Sequence, residues 1–127
     1  MNNKKLGSAF EKDFCKVLAD EGWWVHFLNP NTSGAQPFDI IAIKDSVVAT
    51  LDCKTCATDS FSLSRIEDNQ WLAFSNLVWK TNAVCGFIVS HDDKLYFISF
   101  SDAKNALDHG QKSIKLDDKH LLGGFLL

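Results

Sequence analysis

Four polar side chains stand at spacings that can do metal-assisted chemistry. Asp39 follows Pro37-Phe38 and opens the isoleucine-rich run Ile40-Ile41-Ala42-Ile43. Asp52 and Lys54 flank Cys53 in the stretch VVATLDCKT. Side chains alternate along a strand, so Asp52 and Lys54 share one face while Leu51 and Cys53 take the other. Glu11 stands three residues before Phe14 and seven before Leu18, which on a helix places it beside the apolar stripe, facing a sheet. Two such acids about 4 Å apart repel by about 4 kcal/mol at an effective dielectric of about 20, and a bound divalent cation resolves that repulsion. Carboxylate oxygens with little nitrogen or sulfur favour a hard ion, Mg²⁺ or Mn²⁺. A lysine beside the ion adds positive charge where an attacking water and a phosphate oxygen would meet. The ion itself lowers the pKa of bound water and offsets charge developing on phosphorus. These groups together suit hydrolysis of a phosphodiester.

The elements that must position them follow from periodicity. Residues 6–21 read as a helix, with Leu6, Phe10, Phe14, Val17 and Leu18 at three- and four-residue steps and Gly22 as its stop. Residues 23–28 read as a strand and 29–37 as a loop dense in turn formers. Two strands follow at 38–44 and 47–55, joined by a tight Asp45-Ser46 turn. Residues 57–63 read as irregular. Ser64-x-x-Glu67 has the form of a capping box, which predicts a helix over 65–80 with Ile66, Phe74, Leu77 and Val78 facing inward. The continuous apolar run 83–90 predicts a strand buried on both faces. His91-Asp92-Asp93 turns the chain into a strand at 95–100, and Ser101 is expected to cap a short last helix ending near Gly110. Residues 111–127 give no clear element, although LLGGFLL should pack. The order is helix, three-strand meander, helix, two strands, helix, an α/β class with a mixed sheet flanked by helices.

The bulk properties agree with one domain over 1–127. Hydrophobic residues make up 46% of the chain and aromatics 12%, ample for one core. No stretch approaches the roughly 20 apolar residues of a membrane span, and the N-terminus lacks the apolar segment of a secretory signal, so a soluble, intracellular protein is expected. The net charge of −3 weighs against nucleic acid, whose binders are usually basic. Metal-site acids account for part of it, and lysines cluster at Lys4, Lys5, Lys12 and Lys16 and again at Lys104, Lys112, Lys115 and Lys119, where local patches can steer DNA.

The series Glu11 … Pro37-Phe38-Asp39 … Asp52-Cys53-Lys54 resembles the PD-(D/E)xK nuclease motif, and the element order resembles the restriction-endonuclease-like core of that superfamily. Within it the chain is most similar to Holliday-junction resolvases, of the archaeal kind and of the kind carried by Gram-positive bacteria and their phages. GSAFEKDF resembles the opening Gly-x-x-x-Glu helix, SGAQPFDIIAI the loop and strand with the first Asp, and SFSLSRIEDNQ the segment after the lysine. The resemblance covers about residues 5–100. It implies a metal-dependent, homodimeric endonuclease acting on branched DNA. Glu11, Asp39 and Asp52 would be metal-site carboxylates, with the Cys53 carbonyl as a further ligand. Lys54 would position or activate the nucleophile and Gln70 support the site. Ser33 would touch DNA, as would Lys4, Lys5 and Arg65 by their charge. Two departures stand out: Phe38 is inserted between the Pro and the Asp, and the third carboxylate is Asp where Glu is commoner.

Other readings compete. A restriction- or repair-type nuclease shares the fold, and a non-catalytic DNA-binding module would keep it without the chemistry. Asp52 and Lys54 alone could be a surface ion pair, and Glu11 and Gln70 ordinary helix residues. Cys53-Lys54-Thr55-Cys56 is a C-x-x-C, but it ends a strand rather than opening a helix as a redox motif does, and zinc would want a second pair. Trp23, Trp24, Trp71 and Trp79 are expected in the core or at a dimer contact.

Overall fold

In the computed structural model, which describes residues 3–28 and 36–122 with side chains from Ala9 onward, a five-stranded sheet runs in the order β1-β2-β3-β5-β6. Helix α1 (Asn3–Asp20) leads into β1 (Trp24–Phe27), β2 (Ile40–Lys44) and β3 (Val47–Thr55). These three form the expected antiparallel meander. The Asp45-Ser46 turn has positive φ at both residues, 50° and 69°, the backbone a two-residue hairpin needs to match strand twist. Short strand β4 (Ser60–Ser62) and a 3₁₀ turn (Leu63–Arg65) precede α2 (Asp68–Lys80), which crosses over to β5 (Val84–His91). β5 lies parallel to β3, Asp52 opposite Phe87 and Lys54 opposite Val89. β6 (Lys94–Ser99) pairs antiparallel with β5, and α3 (Phe100–Asp108), β7 (Ser113–Lys115) and a 3₁₀ turn (Asp118–His120) follow. Among the described residues no helix is long and apolar enough to cross a membrane.

Two apolar clusters sandwich the sheet. Phe14, Leu18 and Trp23 pack with Ile40, Ala42, Ala49 and Leu51 under α1. On the opposite face Phe61, Phe74, Phe87 and Phe100 pack under α2 and α3, their rings 5.4–5.8 Å apart, within the range of favourable aromatic contact. Central strand β5 is buried on both faces, as its continuous apolar run requires. Gly86 lets β6 come close: a Cβ there would lie 2.5 Å from the Ile98 carbonyl oxygen and 2.7 Å from the Phe97 ring. We expect Gly86→Ala to destabilise the fold by about 1–3 kcal/mol, the range for overpacking, read as a lower midpoint in urea unfolding; an unshifted midpoint would show that the β5–β6 contact yields freely.

Several boundaries differ from the sequence reading. β2 begins at Ile40 rather than at Phe38. The 57–63 segment contains β4, paired with β7 from the tail, Phe61 opposite Ile114. Ser64 does not cap α2; it sits in the 3₁₀ turn with its hydroxyl 2.8 Å from that of Ser62. Glu67 is the cap residue, and its N–H donates to Gln70 Oε1 at 3.1 Å. Val78 is exposed rather than inward, since the core-facing line of α2 runs through Gln70, Phe74 and Leu77. Ser99 caps α3 in place of Ser101, its Oγ accepting from Asp102 N–H at 3.0 Å. Trp23 is core, and Trp71 packs edge-on to Phe100, whereas Trp24 and Trp79 are exposed.

Candidate active site

The carboxylates and the lysine meet where β2 starts and β3 ends. The Asp39 N–H donates to the Leu51 carbonyl at 2.9 Å, the last rung between the two strands. One residue pair further on, the ladder is replaced by a side chain: Asp39 Oδ2 accepts from the Cys53 N–H at 3.0 Å. A strand residue points its N–H and C=O to the same edge, so the Cys53 carbonyl also faces the edge that β2 has left. Asp52 and Lys54 share the opposite side of the pleat from Cys53, as alternation requires. Lys54 Nζ lies 2.9 Å from Asp52 Oδ2, their side chains 11% and 8% exposed. The ammonium stands 6.0 Å from the centroid of the Phe87 ring.

The charges crowd one another. Burial first, and then the charge of Asp52, push the Asp39 carboxyl up to about 8, against the pull of the Cys53 N–H; a hydrogen bond with Asp52 and the charge of Glu11 add to the rise. Glu11 is half-buried on α1, and burial followed by the charge of Asp52 raises its carboxyl too. The three acids expected from sequence therefore do feel one another. Among the described residues, however, no three His, Cys, Asp or Glu side chains form a ready-made metal cage. The closest association is the Asp39–Asp52 pair, with Glu11 at longer range across the sheet end.

That donor set fits a hard divalent cation better than zinc. Mg²⁺ keeps much of its water and takes one or two carboxylates plus phosphate oxygens, whereas a structural zinc site needs four protein ligands. Two carboxylates, one of them raised partly by the charge of the other, with a backbone carbonyl beside them, offer oxygen only. The redox alternative finds no support in the thiols. All four cysteines are free. Burial, and then the charges of Asp39, Glu11 and Asp52, hold the Cys53 thiol far above its ordinary range, and burial raises Cys56. A protonated thiol is a poor nucleophile.

The remaining candidates divide. Gln70 is buried at the start of α2. The helix runs back from the end of β3 to the start of β5, so its first turn stands at the Lys54 end of the sheet. There Gln70 caps the helix with its Oε1. Arg65 donates to the Thr55 carbonyl at 2.6 Å and contacts Cys56 Sγ at 3.2 Å. Lys4 and Lys5 lie in α1 with side chains outside the described set, and Ser33 lies outside the described residues. Lys12 and Lys16 are exposed on α1, and Lys112, Lys115 and Lys119 are exposed near the C-terminus, while Lys104 pairs with Asp108 at 2.7 Å. At the end of β5, His91 Nδ1 lies 3.0 Å from the Cys56 carbonyl.

No curated protein matches the chain. The structure of Archaeoglobus fulgidus Hjc, a Holliday junction resolvase from an archaeal hyperthermophile, matches with a TM-score of 0.64 at 16% identity, over 91% of each chain, and so shares the fold. A family model, the archaeal Holliday junction resolvase (Hjc), matches residues 2–120. With nearly the whole length matched, the chain belongs to the Hjc family of Holliday junction resolvases.

Proposed function

We propose that this protein is a divalent-metal-dependent endonuclease that resolves four-way DNA junctions, with Asp39, Asp52 and Lys54 at the centre of its active site and Glu11 as a third acid. The observation that carries it is the carboxylate pair at the β2–β3 end, where Asp52 helps push the Asp39 carboxyl up, with an ammonium 2.9 Å from Asp52. Asp39, Asp52 and the Cys53 carbonyl would hold the ion, Mg²⁺ or Mn²⁺, which when bound supplies an acidified water and offsets phosphate charge. Lys54, its Nζ 2.9 Å from Asp52 Oδ2, would present a fixed cation to a phosphate oxygen or to the attacking water. Gln70 supports this end of the sheet by pinning the first turn of α2. The Lys12–Lys16 face of α1 contributes the local positive potential that the net charge of −3 hides.

A junction presents two symmetry-related cleavage points, which suits two active sites on a two-fold axis. The surface supports a homodimer. Trp24, Ile43 and Val48 form one row across β1, β2 and β3, and all three are exposed. Trp79, 87% exposed, and Val78 stand at the nearby end of α2. We expect Trp24→Glu with Trp79→Glu to halve the sedimenting mass; a variant that stays a dimer would place the pairing elsewhere, and a monomeric wild type would overturn the homodimer.

The deciding experiment is cleavage of a labelled four-way junction and a matched linear duplex, each with Mg²⁺ and with chelator. Metal-dependent, paired, symmetric cuts in the junction alone are expected. Equal cutting of the duplex would make the protein a general nuclease, and binding without cutting would make it a DNA-binding module.

A further inference from the structure

Arg65 is the chain's single arginine and stands exposed next to the candidate site, where a phosphate contact is the first reading. The geometry gives its guanidinium a partner within the protein. β2 supports β3 only as far as Leu51, opposite Ile40. Beyond it, the odd-numbered residues of β3 turn their backbone groups to an edge without a strand, because the even-numbered Cys56 donates the other way, to Ser90 O at 2.8 Å. Two of the groups on that edge are met by side chains. Asp39 takes the Cys53 N–H at 3.0 Å, and Arg65 Nη1 takes the Thr55 carbonyl at 2.6 Å. Arg65 therefore stands where the next rung of β2 would have been. On the far side, His91 Nδ1 lies 3.0 Å from the Cys56 carbonyl, so the strand end is held from both edges.

We infer that Arg65 is a positioning residue. By capping the Thr55 carbonyl it fixes the unladdered end of β3, and with it the Lys54 ammonium against Asp52. This role rests on the reading of Lys54 as a participant in cleavage. The arginine closes the 3₁₀ turn that leads into α2, so the same bond ties the start of that helix to the strand carrying the lysine. A planar guanidinium can meet the Thr55 oxygen and the Cys56 sulfur from one nitrogen; an ammonium on a flexible stem makes a looser cap.

The test uses the full chain with Arg65→Ala and Arg65→Lys, and separates binding from cutting. Single-turnover cleavage of a four-way junction at saturating enzyme is expected to fall about tenfold in the alanine variant, a modest share of what misplacing a reacting group by 1 Å removes. The lysine variant should recover part of the loss. Junction affinity and its salt dependence should stay as in wild type. A weaker affinity with a salt slope reduced by about one would instead mark a phosphate contact and overturn the inference, as would an unchanged cleavage rate. Amide hydrogen exchange judges the tether without reference to activity: the Cys53 and Cys56 amides should exchange about tenfold faster in the alanine variant, as local opening becomes easier. If wild type bound junctions without cutting them, the nuclease reading would fall and the exchange result would still decide the tether. Unchanged exchange would overturn it.

Discussion

Asp52→Ala is expected to lower junction cleavage by about three orders of magnitude or more, the scale for removing a group that acts in the transition state, while junction binding persists. Asp52 faces three partners at once: Lys54 at 2.9 Å, Asp39 through charge and a hydrogen bond, and Glu11 through charge. Its loss removes one of two close carboxylates and leaves the lysine, 11% exposed, without its counter-ion. A buried charge stripped of its partner is destabilising, although relief of the repulsion on Asp39 works in the opposite direction. Asp52→Asn keeps the volume and is the better variant for separating chemistry from folding. Cleavage rate and junction affinity, measured side by side, check the expectation. A rate within a fewfold of wild type would remove Asp52 from the mechanism and with it the carboxylate-pair reading of the site.

The second large effect is on stability, and it is set by Asp39. Its carboxyl stands at about 8 in the folded chain against an ordinary 3.8. Between these values the folded state keeps a proton that the unfolded state has released. The unfolded state then binds fewer protons, so stability falls as pH rises through that window and levels off above about 8. In chelator the melting temperature should therefore decline from about pH 4 to about pH 8, by an amount on the order of 10–20 °C for a chain of this size. If a divalent ion is held by the ionised pair as proposed, Mg²⁺ should oppose the decline most at high pH, and its apparent affinity should climb with pH up to about 8. Asp39→Asn should flatten the ion-free profile, abolish the gain from Mg²⁺ and stop cleavage. Thermal melts across pH, with and without Mg²⁺, read all of this directly. A profile equally flat in wild type would mean that Asp39 ionises freely and that Asp52 does not crowd it.

What could be read without coordinates was whatever depends on near neighbours in the chain. Strand β3 spans Val47–Thr55 as expected because a tight turn and an apolar alternation frame it. That alternation alone put Asp52 and Lys54 on one face. The pairing of Asp39 with Asp52 needed only the antiparallel hairpin between them. The misses depend on distant partners or on choices between equivalent residues. β4 is three residues of serine and phenylalanine, too short to show a period, and it exists because β7 arrives from more than 50 positions later. Ser64 and Glu67 both offered a cap for α2, and the 3₁₀ turn at Leu63–Arg65 used the first before the helix began. Ser99 displaced Ser101 because its hydroxyl sits three residues before Asp102, the reach of a cap. Arg65 read as a charge for DNA because its carbonyl partner lies ten residues back, in a relation that no local pattern shows.

The row of Trp24, Ile43 and Val48 has a mechanical meaning as well. It crosses the sheet at the start of β3, whereas Asp52 and Lys54 occupy the end of the same strand. At about 3.3 Å per residue, the four steps from Val48 to Asp52 amount to roughly 13 Å of rigid sheet. Two copies joined through that row would each hold a blade at the far end of a stiff arm. The distance between the blades would then be a length built from peptide units, and the protein would act as a ruler. Lengthening the arm by a two-residue insertion in β2 and β3, which preserves the facing of every side chain, would move both incisions along the DNA without touching a single reacting group.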